Sequence, residues 1–247
     1  MRKKILAANW KMNLTQPEVD AWLNTFQGFA LNNDAALLRV YPSAIYLKDF
    51  QNTNLHFGAQ NIFYETRGAF TGELSVAQLK SVGCQSVLIG HSERREIFHE
   101  SDTQIALKVQ ACANADFSFI LCCGEPLAIR EVGTQEKYVI GQLQKNLENL
   151  SLTQLDLLVV AYEPIWAIGK GLSANLDQIN EMHQAIRNFL VDKYDKAGEE
   201  VPILYGGSVS PANAAAIFSC PAVDGALVGG AALDASSFYQ LWQALNA

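Results

Sequence analysis

Eight short apolar runs recur along the chain, each followed by a polar loop and, in most cases, a longer segment with helical spacing. The runs are Ile5 to Ala8, Leu37 to Val40, His56 to Ala59, Val87 to Ile89, Phe119 to Cys122, Leu157 to Val160, Pro202 to Tyr205 and Ala226 to Val228. Such alternation implies a parallel sheet with helices packed over it. Leu157 to Val160 is apolar at every position, as a strand buried on both faces is. The run at His56 has the weakest strand composition. Over 247 residues, eight units take about 31 residues each, the size of one βα step. Five or six units would build an open, doubly wound sheet, whereas eight close a barrel. No Pro/Ser-rich stretch or low-complexity tract divides the sequence. We therefore expect an α/β fold, a (β/α)8 barrel in a single domain spanning residues 1–247.

The helical segments carry their own end signals. Thr15 before Pro17 and Glu18 reads as an N-cap, and Ser75 and Gly83 bracket a short helix. Ser101-Asp102 opens a helix to about Ala115, Ser210-Pro211 opens another, and Asp234 opens the last. Between Leu176 and Tyr194, the stripe Ile179, Met182, Ile186, Phe189, Leu190 marks a core-facing helix.

Composition narrows the partners. Lys and Arg total 18 against 25 Asp and Glu, a net charge of −7 without a basic block, which argues against nucleic acid. No apolar stretch approaches the roughly 18–20 residues that span a bilayer. Five cysteines, an odd count without CxxC spacing, argue against a disulfide framework or a zinc site. A reducing compartment, the cytoplasm, fits best. The basic start, Met1 to Lys4, is followed by too short an apolar run for a signal peptide.

In barrels of this class the active site lies at the C-terminal ends of the strands. There the chain places Asn9-Trp10-Lys11, Gly90-His91-Ser92-Glu93, Gly124-Glu125, Tyr162-Glu163-Pro164, Gly206-Gly207-Ser208 and Gly229-Gly230. A lysine, a histidine and a glutamate thus converge on one rim beside two glycine pairs. Each has an ordinary reading as well: a solvated lysine, a structural histidine, tight turns. His91 opens a short helix, whose dipole disfavours imidazolium. Glu163 lies among Val159, Val160, Ala161, Ile165 and Trp166. Such a carboxylate is either ion-paired or raised in pKa by desolvation, and the second state suits a general base. Taken together, the residues point to proton transfer on a small phosphorylated carbonyl compound. Glycine-rich N–H groups would hold the phosphate, Glu163 would take a carbon-bound proton, and His91 and Lys11 would polarise the oxygen. No ligand set suggests a metal and no GxGxxG a dinucleotide, so we expect no cofactor.

At these motifs the sequence resembles the triosephosphate isomerases. The matching segments are Ala8 to Asn13, Gly68 to Glu73, Ile89 to Arg95, Ala161 to Gly169, Tyr205 to Val209 and Leu227 to Ala231. The resemblance implies a TIM barrel acting in glycolysis and gluconeogenesis, interconverting dihydroxyacetone phosphate and D-glyceraldehyde 3-phosphate. By it, Glu163 is the base, His91 the electrophile, and Lys11 and Asn9 hold the oxygens, with Glu93 behind them in a structural role. The phosphate falls on Gly169, Ser208, Gly229 and Gly230. A lid runs from Pro164 to Ala174, with Trp166, Ile168, Gly171 and Ala174 in it. Tyr205 and Ser208 would latch the lid, and Ile168 and Leu227 would press on Glu163. The family's usual Gly-Thr-Gly-Lys-Thr-Ala is here Gly169-Lys170-Gly171-Leu172-Ser173-Ala174, which alters the lid's exposed face. The resemblance also implies a homodimer, in which the loop Asn61 to Glu73, with Phe70, Thr71 and Gly72 at its tip, reaches the partner's site. Two rivals remain: a catalytically silent, phosphate-binding scaffold barrel, which should lack one of Glu163, His91 or Lys11, and another phosphosugar isomerase or epimerase, which should show metal ligands or a second lysine at a strand end.

Overall fold

The computed structural model describes residues 2–31, 36–168 and 173–247. Its strands are β1 (Ile5–Asn9), β2 (Leu37–Tyr41), β3 (His56–Ala59), β4 (Ser86–Ile89), β5 (Ser118–Cys123), β6 (Leu158–Tyr162), β7 (Ile203–Tyr205) and β8 (Gly225–Val228). Each pairs in parallel with the next, and β8 returns to β1 to close the barrel, as eight units require. The helices are α1 (Gln16–Gln27), α2 (Val76–Ser81), α3 (Ser92–Glu96), α4 (Asp102–Asn114), α5 (Leu127–Glu131), α6 (Gln135–Asn146), α7 (Leu176–Tyr194), α8 (Ala214–Phe218) and α9 (Ala235–Leu245).

Strand residues alternate between two cores, as their period of two dictates. Ile5, Ala7, Ile120, Val159, Ala161 and Leu204 fill the barrel interior. Leu6, Ala8, Phe119, Val160 and Ile203 face the helices, where Ile179, Met182, Ile186 and Leu190 of α7 are fully buried. The weakest strand, β3, forms with the bounds expected. Its inward position is Gly58, where a Cβ would lie 2.2 Å from the carbonyl oxygen of Ser86 and 2.8 Å from the Tyr41 ring. The missing side chain lets Tyr41 fill the interior and hydrogen bond Ser86 Oγ at 2.8 Å. The seam has a comparable constraint: Gly225 pairs with Ile5 at φ 141°, and a Cβ there would lie 1.8 Å from the Ile5 carbonyl oxygen.

Most helix ends follow their signals. Ser75 and Ser101 accept from the backbone of Gln78 and Gln104, and Asp234 from Ser237. One expectation is corrected: Ser210-Pro211 does not open a helix. Asn213 Oδ1 accepts from the Ser210 N–H, closing a turn first, so α8 starts at Ala214. No side chain caps the N-terminus of α6 at Thr134, of α5 at Pro126 or of α8 at Asn213. Among the described residues, no helix is long and apolar enough to cross a membrane.

Candidate active site

The inward period of each strand continues past its last residue and delivers the site. Glu163 is the next inward position after Val159 and Ala161 on β6, and Asn9 the next after Ile5 and Ala7 on β1. Gly206 follows Leu204, and Gly229 follows Leu227. These positions line one cavity of about 280 Å³ with Lys11, His91, Ile168, Ser208 and Gly230. The predicted residues from strands 1, 4, 6, 7 and 8 are therefore brought together. Gly169 and Gly171 lie outside the described residues.

Glu163 is 2% exposed and makes two strong contacts. Oε1 lies 2.9 Å from His91 Nε2, and Oε2 accepts from the Ser92 N–H at 2.8 Å. Of the two states open to this carboxylate, the paired one is found. Burial does push the pKa of Glu163 up, but His91, the Ser92 N–H and Lys11 together outweigh it and hold the group below the usual carboxylate range. In this conformation the carboxylate is engaged by donors on α3 and at its cap.

His91 is the N-cap of α3, and its Nδ1 accepts from the Glu93 N–H at 3.3 Å. A ring whose Nδ1 accepts carries its proton on Nε2, the nitrogen facing Glu163. Burial opposes the charged ring, yet the carboxylates of Glu163, chiefly, and Glu93 together outweigh it and raise the His91 pKa. That cause lasts as long as Glu163 stays on Nε2. Once the carboxylate leaves, burial and the helix N-terminus favour the neutral ring.

Lys11 has the left-handed φ of 53°. Asn9 Oδ1 accepts from its N–H at 3.0 Å, and Gln60 Nε2 and Ser43 Oγ donate to its carbonyl at 2.8 and 3.2 Å. Its ammonium reaches Glu93 Oε1 at 2.7 Å. Glu93 thus pairs with Lys11. Gln60 and Ser43 were not anticipated, although they lie one and two residues past the ends of β3 and β2, and the rule that pointed to the other six loops points to them too.

The segment just after β6 is tied to the barrel. Trp166 Nε1 donates to Glu125 Oε1 at 2.9 Å, and the Tyr162 hydroxyl donates to the same oxygen at 3.0 Å. Glu125 is fully buried, which raises its pKa despite these donors. It was noted at a strand end but given no role. Ala174 is buried. Tyr205 is fully buried as well, its hydroxyl pushed to about 12 by burial and drawn back by the Ala174 backbone. Gly207 gives that hydroxyl room, since a Cβ would lie 2.2 Å from it.

A second cavity, of about 360 Å³, opens beyond Lys11, lined by Met12, Gln60, Gly72, Glu93 and Phe98. Beside it, Phe70 stacks on Phe63 with ring centroids 4.5 Å apart, while Thr71 and Gly72 are exposed. All five cysteines are free and buried, and burial raises each thiol.

Comparison with known proteins agrees with this geometry. The family model described as Triosephosphate isomerase matches residues 4–245. The chain is 43% identical over 245 residues to the Triosephosphate isomerase of Lactobacillus delbrueckii subsp. lactis, covering 97% of each. It is 41% identical to the protein of that name from Endomicrobium trichonymphae and 42% identical to that from Cytophaga hutchinsonii, with 98% of each chain covered.

Proposed function

The chain belongs to the triosephosphate isomerase family, and from that premise we propose that it interconverts dihydroxyacetone phosphate and D-glyceraldehyde 3-phosphate by proton transfer at Glu163. The observation that carries the reading is the meeting of Glu163, His91, Lys11 and the glycine pairs in one cavity. The substrate's phosphate would bind the backbone N–H groups of Ser208, Gly229 and Gly230, with Gly169 completing the grip. Its carbonyl oxygen would face His91 Nε2 and Lys11 Nζ, with Asn9 alongside.

Glu163 then removes a proton from the carbon next to the carbonyl. The C–H electrons form the carbon–carbon double bond of an enediolate, and the carbonyl π electrons move to its oxygen. Nε2–H of His91 and the Lys11 ammonium stabilise that negative oxygen. His91 passes its Nε2 proton to that oxygen and takes the proton of the neighbouring hydroxyl, so the negative charge moves to the other oxygen. Glu163 then returns its proton to the neighbouring carbon, the double-bond electrons form the new C–H bond, and the second oxygen's lone pair re-forms a carbonyl. A general base of this kind is worth roughly 10²–10⁴ in rate. For the carboxylate to act, it must leave the Ser92 N–H, which holds its pKa down. The change of partner is thereby coupled to a rise in basicity. The lid, through Ile168, and Leu227 at the cavity wall would exclude water and press on Glu163.

A homodimer follows from the same reading. The exposed tip at Phe70, Thr71 and Gly72 and the open cavity beside Lys11 are complementary features of one surface, rimmed by Met12 and Phe98, 95% and 62% exposed. The place of action would be the cytoplasm, in glycolysis and gluconeogenesis. The test is a coupled assay with glyceraldehyde 3-phosphate, without added metal or cofactor. Glu163→Asp, which retracts the carboxylate, should lose orders of magnitude in turnover while still binding phosphate. Unchanged turnover would refute the assignment of the base.

A further inference from the structure

We propose that Gln142, on the outer helix α6, is a positioning residue for Glu163. This rests on Glu163 being the base. Gln142 is buried, and its Oε1 accepts from the Gly124 N–H at 2.9 Å. Gly124 immediately follows β5, beyond the last register pair with β6, Cys123 with Tyr162. Its buried N–H lies past the end of that register and takes its acceptor from the helix layer.

What Gly124 touches gives this bond its consequence. A Cβ on Gly124 would lie 1.8 Å from the Glu163 carbonyl oxygen and 3.3 Å from its Cα, so the two backbones are in direct contact. On either side of that contact, the Glu163 N–H donates to Cys123 O at 2.8 Å, and the Ile165 N–H donates to Glu125 O at 3.2 Å. Residues 123–125 therefore form the seat in which the main chain of Glu163 rests, and Gln142 fixes the middle of that seat. One turn along the same face of α6, Asn146 accepts from Arg95 at 2.9 Å. Arg95 in turn donates to Gly90 O, just before His91, and to Cys122 O. A single helix face thus reaches the main chain under both the histidine and the glutamate. Gln142 acts on the glutamate, through one hydrogen bond and one van der Waals contact.

Because Gln142 touches no part of the substrate cavity's lining, losing it should alter turnover rather than binding. Gln142→Met keeps the length and volume but removes the acceptor. Gln142→Glu keeps an acceptor oxygen in the same place. We expect kcat per folded molecule to fall roughly tenfold or more in Gln142→Met, a displacement effect on a positioned group. KM and inhibition by inorganic phosphate should stay within about twofold, and Gln142→Glu should recover most of the loss. Wild-type kcat in Gln142→Met would overturn the proposal. So would parallel changes in kcat, KM and phosphate inhibition, or equal losses in both variants. Gln142→Asn, whose oxygen falls short of Gly124, provides the same decision if the methionine variant does not fold. Wild-type protein that fails to isomerise triose phosphate would instead refute the function itself, so the two failures are distinct.

Discussion

At the scale of single residues, the site depends on atoms that are missing as much as on those present. A Cβ at Gly206 would lie 2.8 Å from Glu163 Cγ and 3.1 Å from the Tyr162 carbonyl oxygen. Gly206→Ala must therefore push the glutamate aside. Steady-state kinetics should show kcat down roughly ten- to hundredfold with circular dichroism unchanged. His183 provides a test of linkage. It is fully buried, its Nδ1 is 3.1 Å from Ala222 O, and burial depresses its pKa to about 4. In the unfolded chain it titrates near 6.5, so between those values the unfolded state binds the extra proton. Its contribution is complete above pH ~6.5 and is lost as pH falls towards 4, amounting to roughly 3 kcal/mol. Urea titrations of wild type and His183→Asn should show the wild type losing more stability over that interval. Parallel curves would refute the buried neutral ring.

At the scale of elements, ends matter more than interiors. Trp166→Phe removes the indole donor from Glu125 and leaves a fully buried carboxyl with one partner fewer. Thermal unfolding should show a loss of about 1–3 kcal/mol. Gly225→Ala should cost about 3 kcal/mol or more, because the seam between β8 and β1 leaves no room for a methyl group. Much of this level was legible in the sequence. The eight apolar runs gave all eight strands, because a strand buried on both faces has few polar residues to obscure it. Residues just past five of those runs supplied Glu163, His91, Lys11 and the glycine pairs. What escaped had physical reasons. The start of α8 was obscured because Ser210 and Asn213 satisfy each other in a turn. The choice between a paired and a raised Glu163 was not legible because its donors, His91 and the Ser92 N–H, are 72 and 71 residues away in sequence. Apolar neighbours along the chain show the burial but not the through-space donors that outweigh it.

At the scale of the whole molecule, the barrel separates stability from chemistry. The interior and the helix layer are mostly apolar, with a few paired or hydrogen-bonded polar groups such as Arg187 and Asp224, while the cavity at the strands' C-terminal ends gathers Lys11, His91, Glu163 and the glycine pairs. The side of that rim beyond Lys11 leaves Ile45, Ile97 and Phe98 exposed by 79%, 65% and 62%. Sedimentation at micromolar concentration should give a dimer, and Phe98→Glu should yield monomers with reduced turnover; an active wild-type monomer would refute the assembly. The central claim, that Glu163 carries a proton between adjacent carbons without help from a metal, is tested most directly by hydrogen exchange during turnover. EDTA-treated protein would be given glyceraldehyde 3-phosphate in D2O, and deuterium at the carbons of the product followed by NMR. Wild type should turn over and introduce solvent deuterium at the reacting carbons, and Glu163→Gln should do so slower by orders of magnitude. Turnover that stops with EDTA, or exchange by Glu163→Gln at the wild-type rate, would contradict the account.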